Sequence, residues 1–152
     1  IKDKVSAFLT NWLQAWKEEN TARYLSHYHI KDFRTPSKKS FNEFAVYKER
    51  VFSYKGKPEI DISNISILKV EDYVKVTFTQ SYKSDVINDI GKKTLFLTRD
   101  QYYSYKIVEE RWNRIPEPEK EQANSISSFE PSMRFFESYN IDQSIFETVK
   151  NN

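Results

Sequence analysis

The stretch Val5–Trp16, VSAFLTNWLQAW, decides the fold of this chain. Its apolar residues recur at spacings of three and four, which is typical of one face of an α-helix. Trp12 and Trp16 lie one turn apart on that face. The stretch therefore predicts an amphipathic first helix whose tryptophan-bearing side packs against a second layer of structure.

Two further helices are predicted before residue 60. Asn20 or Thr21 can cap a short second helix over residues 22–29. Ser40 and Glu43 have the spacing of a capping box, in which each side chain accepts a hydrogen bond from the other residue's backbone N–H. A third helix is therefore expected to begin directly after Ser40.

The spacing of apolar residues changes from about 3.6 to 2 after residue 58, which indicates strands. The short links between the apolar runs favour antiparallel pairing. We expect strands at residues 60–67 with an irregularity at Asn64, then at 73–82, 94–98 and 102–112, with links at 71–72, 85–91 and 99–101. The predicted fold is α+β, with three N-terminal helices on a curved, cone-shaped antiparallel sheet of about four strands.

The composition limits the classes of function. The 152 residues carry a net charge of +2 with both signs mixed and no basic tract, so nucleic acid is not an expected partner. The absence of cysteine excludes disulfides, a thiolate nucleophile and cysteine-ligated zinc. Two glycines are too few for a nucleotide-cradling loop, and no apolar run reaches the length of a membrane span. We predict no cofactor and no metal.

The last part of the chain differs from the rest. Residues 1–115 form the predicted domain, and residues 116–152 form a charged, proline-containing linker followed by a C-terminal extension. Short helices are expected at residues 132–139 and 142–150. Because this segment is rich in large apolar side chains, we expect it to pack on the domain or on a neighbouring copy.

Gln80 is the most informative candidate for a binding site. It shares a predicted strand face with Phe78 and Tyr82, where the pattern requires an apolar residue. A buried amide without a hydrogen bond costs about 1–3 kcal/mol, so either a neighbouring Tyr or Trp polar atom or a polar ligand bonds it. We expect Gln80 inside the cone within reach of such an atom. The predicted ligand-binding pocket comprises Trp12, Trp16, Tyr24, Tyr28, Phe33, Phe78, Gln80, Tyr82 and Tyr105.

The titratable residues give no catalytic constellation. His27 and His29 are two apart, whereas a helical metal pair needs a spacing of four, so polar groups at a helix end are favoured over a metal site or an acid–base dyad with Asp32. Of Glu109 and Glu110, one is expected to point outward and the other to form a structural salt bridge. We therefore predict no catalytic and no metal-binding residue.

Residues 3–113 resemble the nuclear transport factor 2-like superfamily. More narrowly, they are similar to the domain at the C-terminus of L,D-transpeptidase-related peptidoglycan carboxypeptidases in curved and helical bacteria. The resemblance rests on Phe8, Trp12, Ala15, Trp16, Tyr24, Tyr28 and Phe33, on the strand motifs at residues 78–84 and 93–95, and on residues 105–112.

The resemblance implies an accessory role in the periplasm or cell envelope, while a cytoplasmic location stays open. A transpeptidase-type centre needs a nucleophilic cysteine, which this chain lacks, so that chemistry would belong to another part of a longer parent chain. The expected function is non-catalytic binding of a small glycan, a peptide or a protein segment, with a homodimer possible. The alternatives are a small cone-pocket enzyme (isomerase, dehydratase or cyclase) and a pure dimerisation module.

Overall fold

The computed structural model describes residues 1–54 and 57–115, together with the backbone of residues 136–138 and 142–144. The chain divides into two units, Ile1–Arg111 and Trp112–Asn152. The helices are α1 (Lys2–Lys17), α2 (Thr21–Leu25) and α3 (Phe41–Phe52); the strands are β1 (Glu59–Val70), β2 (Tyr73–Lys83), β3 (Asn88–Arg99), β4 (Tyr105–Arg114), β5 (Phe136–Ser138) and β6 (Asp142–Ser144). In residues 1–54 and 57–115, no helix is both long and apolar enough to cross a membrane.

Helices packed on a curved four-stranded antiparallel sheet confirm the predicted α+β class. The strand order is β1-β2-β3-β4, so strands that are consecutive in sequence are also neighbours in the sheet. The core lies between the helices and the inward face of this sheet. On that face Val74, Val76, Phe78, Leu95 and Leu97 alternate with outward residues and are almost fully buried.

Helix α1 forms as predicted and buries the apolar stripe that contains Trp12 and Trp16. It ends in a Schellman motif, because the Glu19 N–H donates to the Trp16 carbonyl and the Asn20 N–H donates to the Ala15 carbonyl. Glu19 has a φ of 54° at the position that glycine usually occupies in this motif. A glutamate therefore adopts a left-handed conformation at the end of α1.

The second helix is shorter than predicted, and the third begins as predicted. Asn20 caps α2 by accepting a hydrogen bond from the Arg23 N–H, and the helix ends at Leu25 rather than near residue 29. Residues 27–29 pair instead with β4, since the His29 N–H donates to the Ile107 carbonyl at 2.9 Å. The Ser40–Glu43 capping box is present at the start of α3.

Two of the links predicted between strands have different boundaries in the structure. Strand β3 already begins at Asn88, inside the predicted loop 85–91. Strand β4 begins at Tyr105 rather than at residue 102, because the Asp100 carboxylate accepts hydrogen bonds from two backbone N–H groups of the turn. The irregularity predicted at Asn64 is confirmed: the β1–β2 register shifts between Ser63 and Ser66, and Asn64 has a φ of 54°.

In the second unit, β5 and β6 pair antiparallel. The predicted helices at residues 132–139 and 142–150 are therefore wrong at the six residues of these strands, which are extended. The predicted packing of residues 116–152 on the domain or on another copy lies outside the described residues. The boundary predicted at residue 115 stays a prediction.

Candidate functional site

A hydrogen-bond network inside the first unit centres on the hydroxyl of Tyr28. Its oxygen lies 3.1 Å from Trp12 Nε1, 2.8 Å from the Tyr24 hydroxyl and 2.7 Å from Glu110 Oε1. A tyrosine hydroxyl has one proton and can accept two hydrogen bonds. Tyr28 therefore donates to the Glu110 carboxylate and accepts from Trp12 and Tyr24. The network links α1, α2 and β4.

Glu110 also forms a buried ion pair with Lys93 of β3. Lys93 Nζ lies 2.8 Å from Glu110 Oε2, and the two side chains are only 7% and 14% exposed. Burial alone raises the pKa of Glu110, but the charges of Lys93 and Lys48 and the hydrogen bonds from Lys93 and Tyr28 together bring this pKa below its ordinary value. Glu110 is therefore ionised at neutral pH.

Lys48 of α3 brings a second ammonium group to Glu110. Its Nζ lies 5.6–5.9 Å from the centroids of five aromatic rings, and Lys93 Nζ lies 5.2 Å from the ring of Trp16. These distances allow cation–π attraction, which is strongest where water is excluded. The rings around Lys48 are those of Trp16, Tyr24, Phe44, Tyr47 and Phe52. We refer to Lys48, Lys93 and Glu110 as the charged cluster.

Gln80 lies on the same sheet face as Lys93 and is 4% exposed, so its predicted burial is confirmed. The expected hydrogen bond to its oxygen is absent, since Oε1 has no partner among the residues that the structure describes. In the sheet, Gln80 pairs with Ile62 of β1 on one side and with the buried Gly91 of β3 on the other. It is thus a polar side chain in an apolar position.

The other predicted pocket residues fall into three groups. Five of them are at most 1% exposed and form the aromatic core: Trp12, Tyr24, Tyr28, Phe33 and Phe78. Trp16 and Tyr82 lie beside Gln80, with their ring centroids 5.8 Å apart. Tyr105 is partly buried against this core, and its ring and hydroxyl both contact Arg99. Their role in ligand binding stays a prediction.

Glu19, an acidic residue near Tyr82, has a strongly shifted pKa. Burial raises the pKa of Glu19 to about 7, and the positive charge of Lys57 opposes part of that shift. Burial also raises the pKa of Tyr82, with further contributions from the negative charges of Glu19 and Asp89. Glu19 therefore changes its charge near neutral pH beside one of the predicted pocket residues.

The histidines form no metal site or dyad in the described parts of the chain. His29 Nε2 lies 3.8 Å from Asp32 Oδ2, and the Asp32 carboxylate is largely exposed. Burial lowers the pKa of His27, whose Nδ1 contacts the Arg23 carbonyl at 2.9 Å. No group of three or more potential metal ligands occurs in residues 1–54 and 57–115.

Sequence reasoning did not single out Lys48 or Lys93 as site residues. A signal for Lys93 is present, because strict alternation from the buried Leu95 places it on the inward face, as with Gln80. Lys48 lies four residues from both Phe44 and Phe52 and therefore shares their helix face. A lysine at an inward position of an otherwise apolar face could have indicated the cluster.

Comparisons with known proteins agree with this architecture. The family model for the Cds6 C-terminal NTF2-like domain matches residues 4–111. No curated protein matches the chain. Bd1075 of Bdellovibrio bacteriovorus is 25% identical, with a TM-score of 0.69 over 76% of this chain and 41% of that one. Pgp2 of Campylobacter jejuni, a helical cell shape determining protein, is 29% identical, with a TM-score of 0.62 over 73% of this chain and 42% of that one.

A third structure shows how widely the fold alone is shared. An NTF2-like protein from Pseudomonas putida is 11% identical, with a TM-score of 0.65 over 78% of this chain and 89% of that one. By contrast, this chain spans only about two fifths of the length of Bd1075 and Pgp2.

Proposed function

Because the chain belongs to the Cds6 C-terminal NTF2-like domain family, we propose that it is a non-catalytic binding domain of a larger cell-envelope protein. Its ligand is a peptide with a free carboxylate, as in the peptide stems of peptidoglycan. The parent protein would carry a carboxypeptidase or transpeptidase domain. The similarity of this chain to part of a helical cell shape determining protein supports an envelope role.

The charged cluster is the observation that carries this proposal. Its two lysines both bring their ammonium groups close to the carboxylate of Glu110, so N–H donors of positive charge are concentrated at this position. Aromatic rings surround Lys48, and such surroundings strengthen electrostatic attraction relative to water. A ligand carboxylate would be attracted to these ammonium groups and would accept hydrogen bonds from them. Because the pKa of Glu110 lies below its ordinary value, this carboxylate is a poor general acid at neutral pH, and the arrangement favours binding over acid–base catalysis.

Titration with a minimal ligand tests the proposal. N-acetyl-D-alanyl-D-alanine carries a terminal carboxylate, and its C-terminal amide is the matched neutral probe. We expect the free acid to bind the full chain at least ten-fold more tightly than the amide, because a hydrogen bond to a charged group contributes about 1.5–3 kcal/mol. NMR chemical-shift titration measures both affinities.

Two lysine variants complete this experiment. Lys48→Met should weaken binding of the free acid about ten-fold or more. Lys92→Met is the control, since Lys92 is exposed and precedes Lys93 on the opposite face of β3. Equal affinity for the acid and the amide, or equal effects of the two substitutions, would contradict the proposal. A circular dichroism spectrum checks that each variant is folded.

A further inference from the structure

The turn between β3 and β4, residues 100–104, carries two exposed aromatic side chains. Tyr102 and Tyr103 are 76% and 77% exposed, whereas Tyr24 and Tyr28 are almost completely buried. An exposed ring contributes little to a core, and turns are ordinarily occupied by small or polar residues. The packing of the fold therefore gives no reason for two tyrosines at the tip of this hairpin.

Tyr103 also has an unfavourable backbone conformation. Its φ of 63° lies in the left-handed region, where glycine and asparagine are common and a bulky side chain is rare. Stability alone would favour one of those two residues at this position. Residues that are held in such conformations by their surroundings concentrate at functional sites. The positive φ is thus a second observation that points to a role for the Tyr103 side chain.

Hydrogen bonds fix the turn that carries the two tyrosines. The Asp100 carboxylate accepts from the backbone N–H groups of Tyr102 and Ser104, at 2.9 and 3.0 Å. The Tyr103 N–H donates to the Asp100 carbonyl at 2.9 Å, and Arg99 Nη1 donates to the Tyr103 carbonyl at 3.0 Å. Because the backbone beneath both rings is already held in one conformation, binding through these rings costs little loop entropy.

A third exposed tyrosine lies at the same end of the sheet. Val74 pairs with Leu97 across β2 and β3, so Tyr73, the first residue of β2, lies close to the end of β3. Tyr73 is 44% exposed. The link between β1 and β2 and the turn between β3 and β4 thus bring three exposed tyrosines to one end of the sheet.

The charges near these tyrosines restrict the class of partner. The two connections and the residues that flank them carry three acidic and three basic side chains: Lys69, Glu71, Asp72, Arg99, Asp100 and Lys106. The signs therefore balance, and there is no excess of positive charge to attract a phosphate backbone or an anionic membrane surface. An uncharged partner is favoured.

The shape and chemistry of the surface suit a sugar chain. Sites for small molecules are concave and enclose their ligand, whereas this surface is the tip of a hairpin. A tyrosine has an apolar ring face and a hydroxyl that can donate and accept hydrogen bonds. A hexose likewise has an apolar face of C–H groups and a rim of hydroxyls. Several sugars of one chain can contact several tyrosines, which multiplies weak individual affinities.

We propose that Tyr102 and Tyr103, together with Tyr73, bind an uncharged glycan chain by stacking on its sugar rings. This surface shares no residue with the charged cluster and adds a second kind of ligand to the proposed function. The inference takes from the proposed function only the location in the cell envelope, where the glycan strands of peptidoglycan are chains of this kind.

Chitohexaose, an uncharged soluble chain of six N-acetylglucosamine units, is the probe. NMR titration of the full chain should show binding of the hexamer and about ten-fold or more weaker binding of N-acetylglucosamine itself. Tyr102→Ser and Tyr103→Asn should each weaken binding of the hexamer about two- to ten-fold, as expected for the loss of one aromatic contact. Tyr54→Ser is the matched control, because Tyr54 is 55% exposed just after α3, and it should leave the affinity unchanged.

Melting temperatures separate a binding role from a structural one. Because asparagine adopts a positive φ more readily than tyrosine, Tyr103→Asn should melt at the same temperature as the wild type or higher, although it binds the hexamer more weakly. If Tyr102→Ser and Tyr103→Asn both lower the melting temperature, the rings stabilise the turn and the proposal is wrong.

The remaining outcomes identify other partners. If the wild type does not bind chitohexaose, or if all three variants bind it equally, the glycan proposal fails, while the titration with N-acetyl-D-alanyl-D-alanine decides the proposed function independently. Tyrosine-dependent sedimentation with phosphatidylglycerol vesicles would assign the surface to a membrane instead. Self-association that Tyr102→Ser abolishes would assign it to a second copy of the chain.

Discussion

Replacing Glu110 with glutamine tests how much the buried ion pair with Lys93 contributes to stability. Glutamine is nearly isosteric and can still accept the hydrogen bond from Tyr28, but it leaves the Lys93 ammonium, 7% exposed, without its counter-charge. Removing one partner of a buried pair typically costs about 3–5 kcal/mol. For a unit of this size we expect the melting temperature to fall by about 12–20 °C.

Urea denaturation followed by tryptophan fluorescence measures the change. With a slope of about 2 kcal/mol per molar urea, the midpoint of Glu110→Gln should fall by about 2 M. Glu109→Gln is the matched control, because this adjacent carboxylate pairs with Arg111 at the surface, where both side chains are more than 40% exposed. Such a pair contributes less than about 1 kcal/mol.

A second substitution and a pH series refine the test. Adding Lys93→Met to Glu110→Gln removes the stranded charge and should restore at least half of the lost stability. Since the pKa of Glu110 is below 4.5 in the fold, its stabilising contribution is present above pH 4.5 and is lost as the pH falls through the folded value. The reasoning is refuted if Glu110→Gln and Glu109→Gln have equal effects, or if Lys93→Met only adds further destabilisation.

Two further predictions concern Glu19 and Tyr28. Because burial raises the pKa of Glu19 to about 7, the stability of the wild type should decline as the pH rises from 4.5 through 7. The melting temperature of Glu19→Gln should therefore exceed that of the wild type by more at pH 8 than at pH 5. A difference in melting temperature that does not depend on pH would contradict this prediction. Tyr28→Phe should cost about 2–4 kcal/mol because it leaves the Trp12 and Tyr24 donors and the Glu110 acceptor without their shared partner, whereas Tyr24→Phe should cost about 1 kcal/mol. Equal urea midpoints for these two variants would show that the network does not depend on Tyr28.

Local signals predicted much of the fold. The stripe of α1, the capping box at Ser40 and the irregularity at Asn64 each depend on residues close in sequence, and all three are confirmed. The end of α2 depends instead on pairing with Ile107, about eighty residues later. No pattern within residues 22–29 contains that information, so the predicted helix was too long.

The site was predicted only in part, for a similar reason. Gln80 was found because it interrupts an apolar alternation. Glu110 was harder to assign, because strict alternation from the buried Ile107 would place Glu109 inward, whereas Glu110 carries the ion pair. Which of two adjacent acids faces inward depends on the position of Lys93 and Tyr28, and this is a property of the assembled sheet.

The hydrogen-bond network of Tyr28 joins residues that are far apart in sequence, and this has a consequence for the order of folding. The hydroxyl of Tyr28 and the carboxylate of Glu110 are 82 residues apart, and Lys106 contacts the Ser26 carbonyl across 80 residues. During synthesis, therefore, the Tyr28 hydroxyl has no native carboxylate acceptor until β4 has emerged. Contacts between such distant parts of a chain close late and slow the search for the native state. A nascent chain that ends before residue 105 should therefore remain incompletely folded and dependent on chaperones, although it already contains the residues of all three helices.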